Sequence, residues 1–285
     1  MNVVSTIADT RAAIDSARAH GARIGFVPTM GALHAGHLSL VERARREADF
    51  IVMSIFVNPL QFAPTEDFSR YPRPVEEDER LSSEAGVDLL FRPSVTEMYP
   101  PGRSVGVSAG MLGAEWEGTS RPGHFDGVVT VVAKLFNIVH PDVAVFGRKD
   151  LQQAAIIRAM VRDLDMPIRI VLAPIVRESD GLALSSRNRY LSPDDRRRAT
   201  VLSRALAAIT LRFASGERRV PALEAEAQRI LSTESEVTPD YLAVIDPLTF
   251  KRPELAADGN AAIVAARVGS TRLIDNMSLG QDDQD

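Results

Sequence analysis

The sequence predicts an α/β protein in which a parallel-sheet domain at the amino end is followed by a smaller α+β domain. Three observations carry this expectation. Short apolar runs at Arg23 to Val27, Phe50 to Val57, Val87 to Phe91, Val143 to Phe146 and Ile168 to Leu172 alternate with helical stretches, the pattern that builds parallel sheets. After about Val176 this alternation gives way to charged helices and short strand-like runs. The chain has 285 residues, more than the usual single domain, so one large or two unequal domains are expected.

In chain order, Arg23 to Val27 is a buried strand closed by Pro28. Leu38, Leu40, Val41 and Ala44 then recur at helical spacing, so a helix starts near His34 and His37. Gly127 to His140 is rich in valine and isoleucine but too long for a typical strand. It reads as a buried helix with Asp126 near its start. Leu151 to Leu164 is a second helix, bounded by Asp150 and Pro167. Farther on, Pro193 to Phe213 and Ala222 to Leu231 read as helices, and Tyr241 to Ile245, Ala261 to Arg267 and Arg272 to Ile274 as short strands. The expected domains are 1–175 and 176–280, with a polar, acidic and disordered tail at 281–285.

An apolar fraction of 45% and a charged fraction of 25% suit a soluble globular protein. No run is long and apolar enough to span a membrane and no signal segment opens the chain, so a cytoplasmic protein is expected. There is no cysteine, hence no disulfide framework. A net charge of −5 argues against extended nucleic-acid binding, while local clusters of Lys, Arg and His leave small anions open as ligands.

The most informative segment is Gly25-Phe26-Val27-Pro28-Thr29-Met30-Gly31-Ala32-Leu33-His34-Ala35-Gly36-His37-Leu38, a strand that passes through a glycine turn into a helix. The free N–H groups and dipole at a helix start favour an anion, and Gly36 has no side chain to hold phosphate oxygens away. His34 and His37, three apart, can face the same side of the first turn and donate to those oxygens. Two other readings stand beside this one: a zinc pair, and two surface histidines without a role. The other histidines, His20, His124 and His140, are far away in sequence. H-x-G-H in this setting resembles the signature of the adenylate-forming nucleotidyltransferase superfamily, which includes class I aminoacyl-tRNA synthetases.

Four further segments combine polar residues with turn chemistry. Phe56-Val57-Asn58-Pro59-Leu60-Gln61-Phe62 follows the second strand, and ligands bind at the carboxyl ends of strands in open α/β sheets. Gln61 offers a donor and an acceptor to a substrate with hydroxyls and a carboxylate; the plainer reading is a loop amide bonded to its own backbone. Phe146-Gly147-Arg148-Lys149-Asp150-Leu151-Gln152-Gln153 repeats strand, glycine, cation and helix, with Asp150 as a cap. Lys149 could neutralise phosphate charge there, and Gln153 could face the same cleft as Gln61; a solvated Arg-Lys pair is the alternative. Gly181 to Arg189 sets Ser185, Ser186 and Arg187 side by side near the expected domain junction, either to close over phosphates or as a Ser-rich linker. Glu117 to Phe125 is a loop broken by glycine and proline that holds Arg121 and His124.

Together these segments resemble the pantothenate synthetase, or pantoate–β-alanine ligase, family. The likeness runs from P-T-M-G-A-L-H-A-G-H-L through F-V-N-P-L-Q-F, Y-P-R, R-P-G-H-F-D-G-V and F-G-R-K-D-L-Q-Q to L-S-S-R-N-R-Y-L, nearly the whole chain. The departures are Ala35 where an acidic residue is frequent, Leu151 where an aromatic is usual and Leu184 where methionine is common. None removes a polar group that the reaction uses.

The resemblance implies a Rossmann-like amino-terminal domain, a carboxyl-terminal lid and a homodimer. It also implies a two-step reaction with ATP and Mg2+, in which (R)-pantoate becomes pantoyl adenylate and β-alanine then displaces AMP. It assigns His34, His37, Lys149, Ser185, Ser186 and Arg187 to the triphosphate and the leaving pyrophosphate. Gln61 and Gln153 would grip pantoate; Met30, Gly147 and Asp150 would line the nucleotide site; and Arg121 and His124 would belong to a flexible wall. No protein metal ligand is implied. The rivals are an enzyme attaching AMP to a phosphate substrate, a tRNA synthetase and a nucleotide-binding regulatory module. The first should lack the glutamine pair. The second is disfavoured because no K-M-S-K-S segment or basic tRNA-binding region is present, and the third because Lys149 and Ser-Ser-Arg are retained.

Overall fold

The computed structural model describes residues 1–64 and 66–280. The tail expected at 281–285 lies outside them. In chain order the elements are β1 (Asn2–Val4), α1 (Ile7–Ala19), β2 (Ile24–Thr29), α2 (Ala35–Arg45), β3 (Phe50–Ile55), α3 (Val75–Ala85), β4 (Leu89–Phe91), α4 (Val95–Met98), α5 (Glu117–Ser120), α6 (His124–Val139), β5 (Val143–Gly147), α7 (Leu151–Asp163) and β6 (Arg169–Ala173). There follow α8 (Pro193–Ala199), α9 (Val201–Ala214), α10 (Val220–Leu231), β7 (Val237–Ile245), β8 (Ala261–Val268) and β9 (Thr271–Ser278). They form two compact units, one of Met1–Arg148 and Ile156–Ala173, the other of Lys149–Ala155 and Pro174–Asp285.

The first unit contains a six-stranded sheet in the order β1-β4-β3-β2-β5-β6, with every pair parallel. The parallel sheet expected from the alternating pattern is present. Side chains alternate across each strand. Phe26, Val52, Ala144 and Phe146 join one core with α1, α6 and α7. Val27, Ile51, Met53, Val143 and Val145 join a second with α2. Cover on both faces explains why these strands read as continuous apolar runs. From β2 the chain steps to β3 and β4 on one side, and β5 then pairs with β2 on the other. The strand order therefore reverses between β2 and β5, and ligands enter open α/β sheets at such a point.

Several boundaries differ from those expected. Pro28 does not close β2, which continues to Thr29 with Pro28 opposite Ser54 of β3. The recorded β5 pairing covers only Gly25 and Phe26, so the missing proline N–H falls beyond that ladder. The helix expected at Gly127 to His140 begins earlier, at His124, after a left-handed Gly123. Asp126 lies in its first turn and accepts the Ala109 N–H at 2.7 Å. The stretch Pro193 to Phe213 is two helices meeting at Thr200.

The second unit packs α9 and α10 against the antiparallel sheet β7-β8-β9. Its core includes Leu202, Leu206, Ile209, Leu223, Val244 and Val264. No helix among the described residues is long and apolar enough to cross a membrane.

Candidate active site

In the first unit the turn after β2 is shaped by a side chain from α3. Asp78 is 2% exposed, and its carboxylate accepts the backbone N–H groups of Ala32 at 2.9 Å and Leu33 at 2.8 Å. Gly31 has φ +80°, and a Cβ there would fall 2.7 Å from Asp78 Oδ2 and 2.9 Å from Ile55. Glycine is therefore required for both conformation and space. Ala32 follows at φ 52°, a costly region for a residue with a side chain, and the Asp78 bond holds it there.

This turn delivers His34 to the N-cap of α2, where its Nδ1 accepts the Gly36 N–H at 3.2 Å. A ring nitrogen that accepts carries no proton, so the His34 N–H is at Nε2. The rings of His34 and His37 lie 4.1 Å apart, centre to centre. Among the described residues no group of three or more His, Asp or Glu side chains forms a candidate metal cage. The pair sits at the N-terminus of α2, and backbone and imidazole N–H groups at such a place favour an anion.

Gln61, 8% exposed, ends a short 3-10 turn after β3. Its Nε2 donates to Met30 Sδ at 3.1 Å, and its Oε1 accepts from Asn58 Nδ2 at 3.0 Å. The same Asn58 nitrogen donates to the Gly127 carbonyl at 3.0 Å. That contact needs glycine in α6, because a Cβ at Gly127 would fall 2.3 Å from the Leu60 oxygen.

Arg121 and His124, which the family resemblance places in a flexible wall, both bond to the Gln61 carbonyl. His124 Nδ1 lies 2.8 Å from the Gln61 carbonyl and its Nε2 lies 2.9 Å from Arg121 Nη1. Arg121 also clasps Glu66 at 2.6 and 2.8 Å. Burial, then the charge of Arg121, lowers the His124 imidazole to about 4. It is therefore neutral near pH 7, with Nδ1–H donating to Gln61 and Nε2 accepting from Arg121. Burial raises Glu66, but the hydrogen bond and charge of Arg121 outweigh it and hold the carboxyl low.

Gly147 closes β5 in the first unit, whereas Lys149, Asp150, Gln153, Ser185, Ser186 and Arg187 belong to the second. Arg148–Asp150 is a 3-10 turn leading into α7, and Lys149 Nζ stands 3.5 Å from Asp150 Oδ1. The Lys149 carbonyl accepts from Asn276 Nδ2 at 2.9 Å. The neighbouring Asp275, 4% exposed, pairs with Arg177 at 2.7 and 2.9 Å. Burial raises the Asp275 carboxyl although Arg177 opposes it. Ser185 caps a second 3-10 turn, Ser186–Tyr190, by accepting the Arg187 N–H. Asn188 ties that turn to Glu178 at 3.0 Å, and Glu178 is held by Arg196 at 2.7 Å. Asp78, Asn58, Glu178, Asp275 and Asn276 thus support predicted site residues without having been predicted. Only Asn58 carried a signal, as part of the V-N-P-L-Q motif.

The profile of the pantoate-beta-alanine ligase family matches residues 2–278. The chain belongs to this family. It is 54% identical to the pantothenate synthetase of Pseudomonas putida (strain GB-1), with 98% of each chain covered. It is 53% identical to that of Acidobacterium capsulatum, with 99% of this chain and 98% of the relative covered. A crystal structure of pantothenate synthetase from Thermus thermophilus is similar at 52% identity and a TM-score of 0.93, covering 98% of this chain and 99% of the other. The pantoate-beta-alanine ligase of Francisella tularensis, in a crystal structure complexed with beta-gamma ATP and beta-alanine, matches at 32% identity and a TM-score of 0.81, covering 98% and 97%. As a member of the pantoate–β-alanine ligase family this chain is a ligase that condenses pantoate with β-alanine at the expense of ATP.

Proposed function

We propose that the ligase works through pantoyl adenylate, with the residues singled out in the sequence as its binding and catalytic groups. The observation that carries this reading is Met30. It belongs to the turn that leads to His34, and its sulfur receives the Gln61 side chain. An acid held by Gln61 is thereby set beside the turn that holds phosphate.

The pantoate carboxylate attacks the α-phosphorus of ATP, and the bond to the β-phosphate breaks to release pyrophosphate. The amine of β-alanine then attacks the acyl carbon, loses a proton and displaces AMP. The protein supplies no nucleophile; it positions two anions and stabilises the charge that develops on the phosphates. His34, His37, Lys149, Ser185, Ser186 and Arg187 hold the triphosphate and then the pyrophosphate. Met30, Gly147 and Asp150 line the nucleotide, and Gln61 and Gln153 bind pantoate.

A Mg2+ ion bound through phosphate oxygens and water needs no protein cage, which is compatible with the lack, among the described residues, of a group of three or more His, Asp or Glu side chains that could hold a metal. When bound it offsets phosphate charge. A cytoplasmic location and a homodimer complete the proposal; the first is supported by the lack of a spanning helix among the described residues, the second by the family resemblance.

Pyrophosphate exchange tests the chemistry. With Mg2+, ATP and pantoate but no β-alanine, labelled pyrophosphate should enter ATP, and only when pantoate is present. Adding β-alanine should divert the intermediate to pantothenate and AMP. His37→Ala and Lys149→Ala should each slow exchange by roughly 10²- to 10³-fold, the range for losing one transition-state donor. Formation of ADP and orthophosphate, or exchange indifferent to pantoate, would overturn the adenylate route.

A further inference from the structure

A hydrogen-bonded chain in the first unit begins at two backbone groups and ends at the Gln61 side chain. Asn58 is 1% exposed. Its Oδ1 accepts the Leu60 N–H at 3.3 Å, and its Nδ2 donates to the Gly127 carbonyl at 3.0 Å. A backbone N–H only donates and a backbone carbonyl only accepts, so the two ends of the Asn58 amide are assigned by chemistry. The other Nδ2 hydrogen meets Gln61 Oε1 at 3.0 Å. Gln61 must then turn Nε2 the other way, toward Met30 Sδ at 3.1 Å. One Nε2 hydrogen serves the sulfur, and the second is what a ligand meets. Gln61 therefore offers a donor, suited to a carboxylate or hydroxyl oxygen.

Tyr99 anchors this chain from outside the Asn58 turn. Its hydroxyl donates to Asn58 Oδ1 at 2.8 Å. Burial pushes the phenol up to about 12 against the opposing charge of Arg103, so it stays a donor throughout the neutral range. The ring stands edge-on to Phe56 at 5.9 Å, and the Arg103 guanidinium lies 5.4 Å from its centre. Tyr99 directly follows α4, whose Glu97 accepts the Ile7 N–H at 2.7 Å. The hydroxyl is thus held by packing that owes nothing to Asn58.

We propose that Tyr99 is a positioning residue for the acid substrate, its hydroxyl acting through Asn58 to keep the Gln61 amide with N–H toward a pantoate oxygen. This rests on the reading of Gln61 as a pantoate-binding residue. Tyr99 itself does not touch the substrate.

Steady-state kinetics of the full chain with Tyr99→Phe, Gln61→Ala and the double variant test the proposal. Tyr99→Phe keeps the ring and its packing. It should raise the KM for pantoate roughly threefold to tenfold, the range for losing one hydrogen bond, while the KM for ATP and the Tm stay near those of the parent. In the Gln61→Ala background the same change should have no further effect, because nothing remains to be positioned. If Gln61→Ala leaves the KM for pantoate unaltered, the underlying reading fails and this inference with it. If Gln61→Ala raises it but Tyr99→Phe does not, the reading stands and the positioning role is overturned. An equal rise in both KM values with Tyr99→Phe, or a Tyr99→Phe effect that persists without Gln61, also overturns the role, whatever the Tm.

Discussion

Asp78 and Leu33 are joined across 45 residues of sequence: the carboxylate accepts the Leu33 N–H at 2.8 Å while its second oxygen takes the Ala32 N–H. Two amides of the turn between β2 and α2 are thereby satisfied by the protein itself. In the proposed site an anion would then be met by the start of α2 and by the histidines, and the path of the chain from β2 into α2 is held by a carboxylate from α3. Asp78→Asn keeps the volume but sets an NH2 against one of the two N–H groups, an unsatisfied contact that costs about 1–3 kcal/mol. Urea unfolding should show that loss, and the KM for ATP should rise more than that for pantoate. Unchanged unfolding and kinetics would mean that the turn holds its shape without Asp78.

Much of the turn between β2 and α2 was legible in the sequence because each part has a local cause. An apolar strand, a glycine needed at positive φ and a helix start with two histidines are all short-range features. Asp78 was not legible. It lies in the charged run Val75-Glu76-Glu77-Asp78-Glu79-Arg80, and only the fold reveals that this one carboxylate reaches the turn after β2. Pro28 misled the reading of β2 because proline interrupts a strand only where its nitrogen would face a partner. The orientation of Gln61 depends on Asn58, Gly127 and Tyr99, which are separated by tens of residues, so no local pattern could disclose it.

The buried imidazole of His124 makes stability depend on pH. Its folded value, about 4, lies below the ordinary 6.5, so the unfolded chain takes up a proton that the folded chain refuses. The contribution is complete above pH 6.5 and is lost as pH falls from 6.5 toward 4, roughly 3 kcal/mol in all. Between pH 7 and pH 5 the parent should lose about 2 kcal/mol more than His124→Gln, which has no group titrating there. Equal losses in urea unfolding would show that His124 takes up its proton in the folded state as readily as in the unfolded one. A ring proton resonance of His124 that titrates near 6.5 would show the same.

The approach of α6 to the Gln61 turn gives the sharpest steric prediction. Gly127 has no positive φ to justify it, so its backbone conformation is open to alanine. What forbids a side chain is space: an added Cβ would fall 2.3 Å from the Leu60 oxygen and 2.7 Å from the Gln61 Cα. Both are backbone atoms and cannot rotate aside, so Gly127→Ala must push α6 and the turn apart. Separation stretches the bond from Asn58 to the Gly127 carbonyl and the bond from His124 to the Gln61 carbonyl. Overpacking of this kind costs about 1–3 kcal/mol. The KM for pantoate should rise with it, while pyrophosphate release at saturating pantoate changes less. Gly147→Ala is the control, since a Cβ there comes no closer than 3.9 Å to Leu40; it should leave the Tm near that of the parent. If Gly127→Ala matches the parent in both Tm and pantoate KM, the close packing of α6 on the Gln61 turn is not what holds the proposed pantoate site in shape.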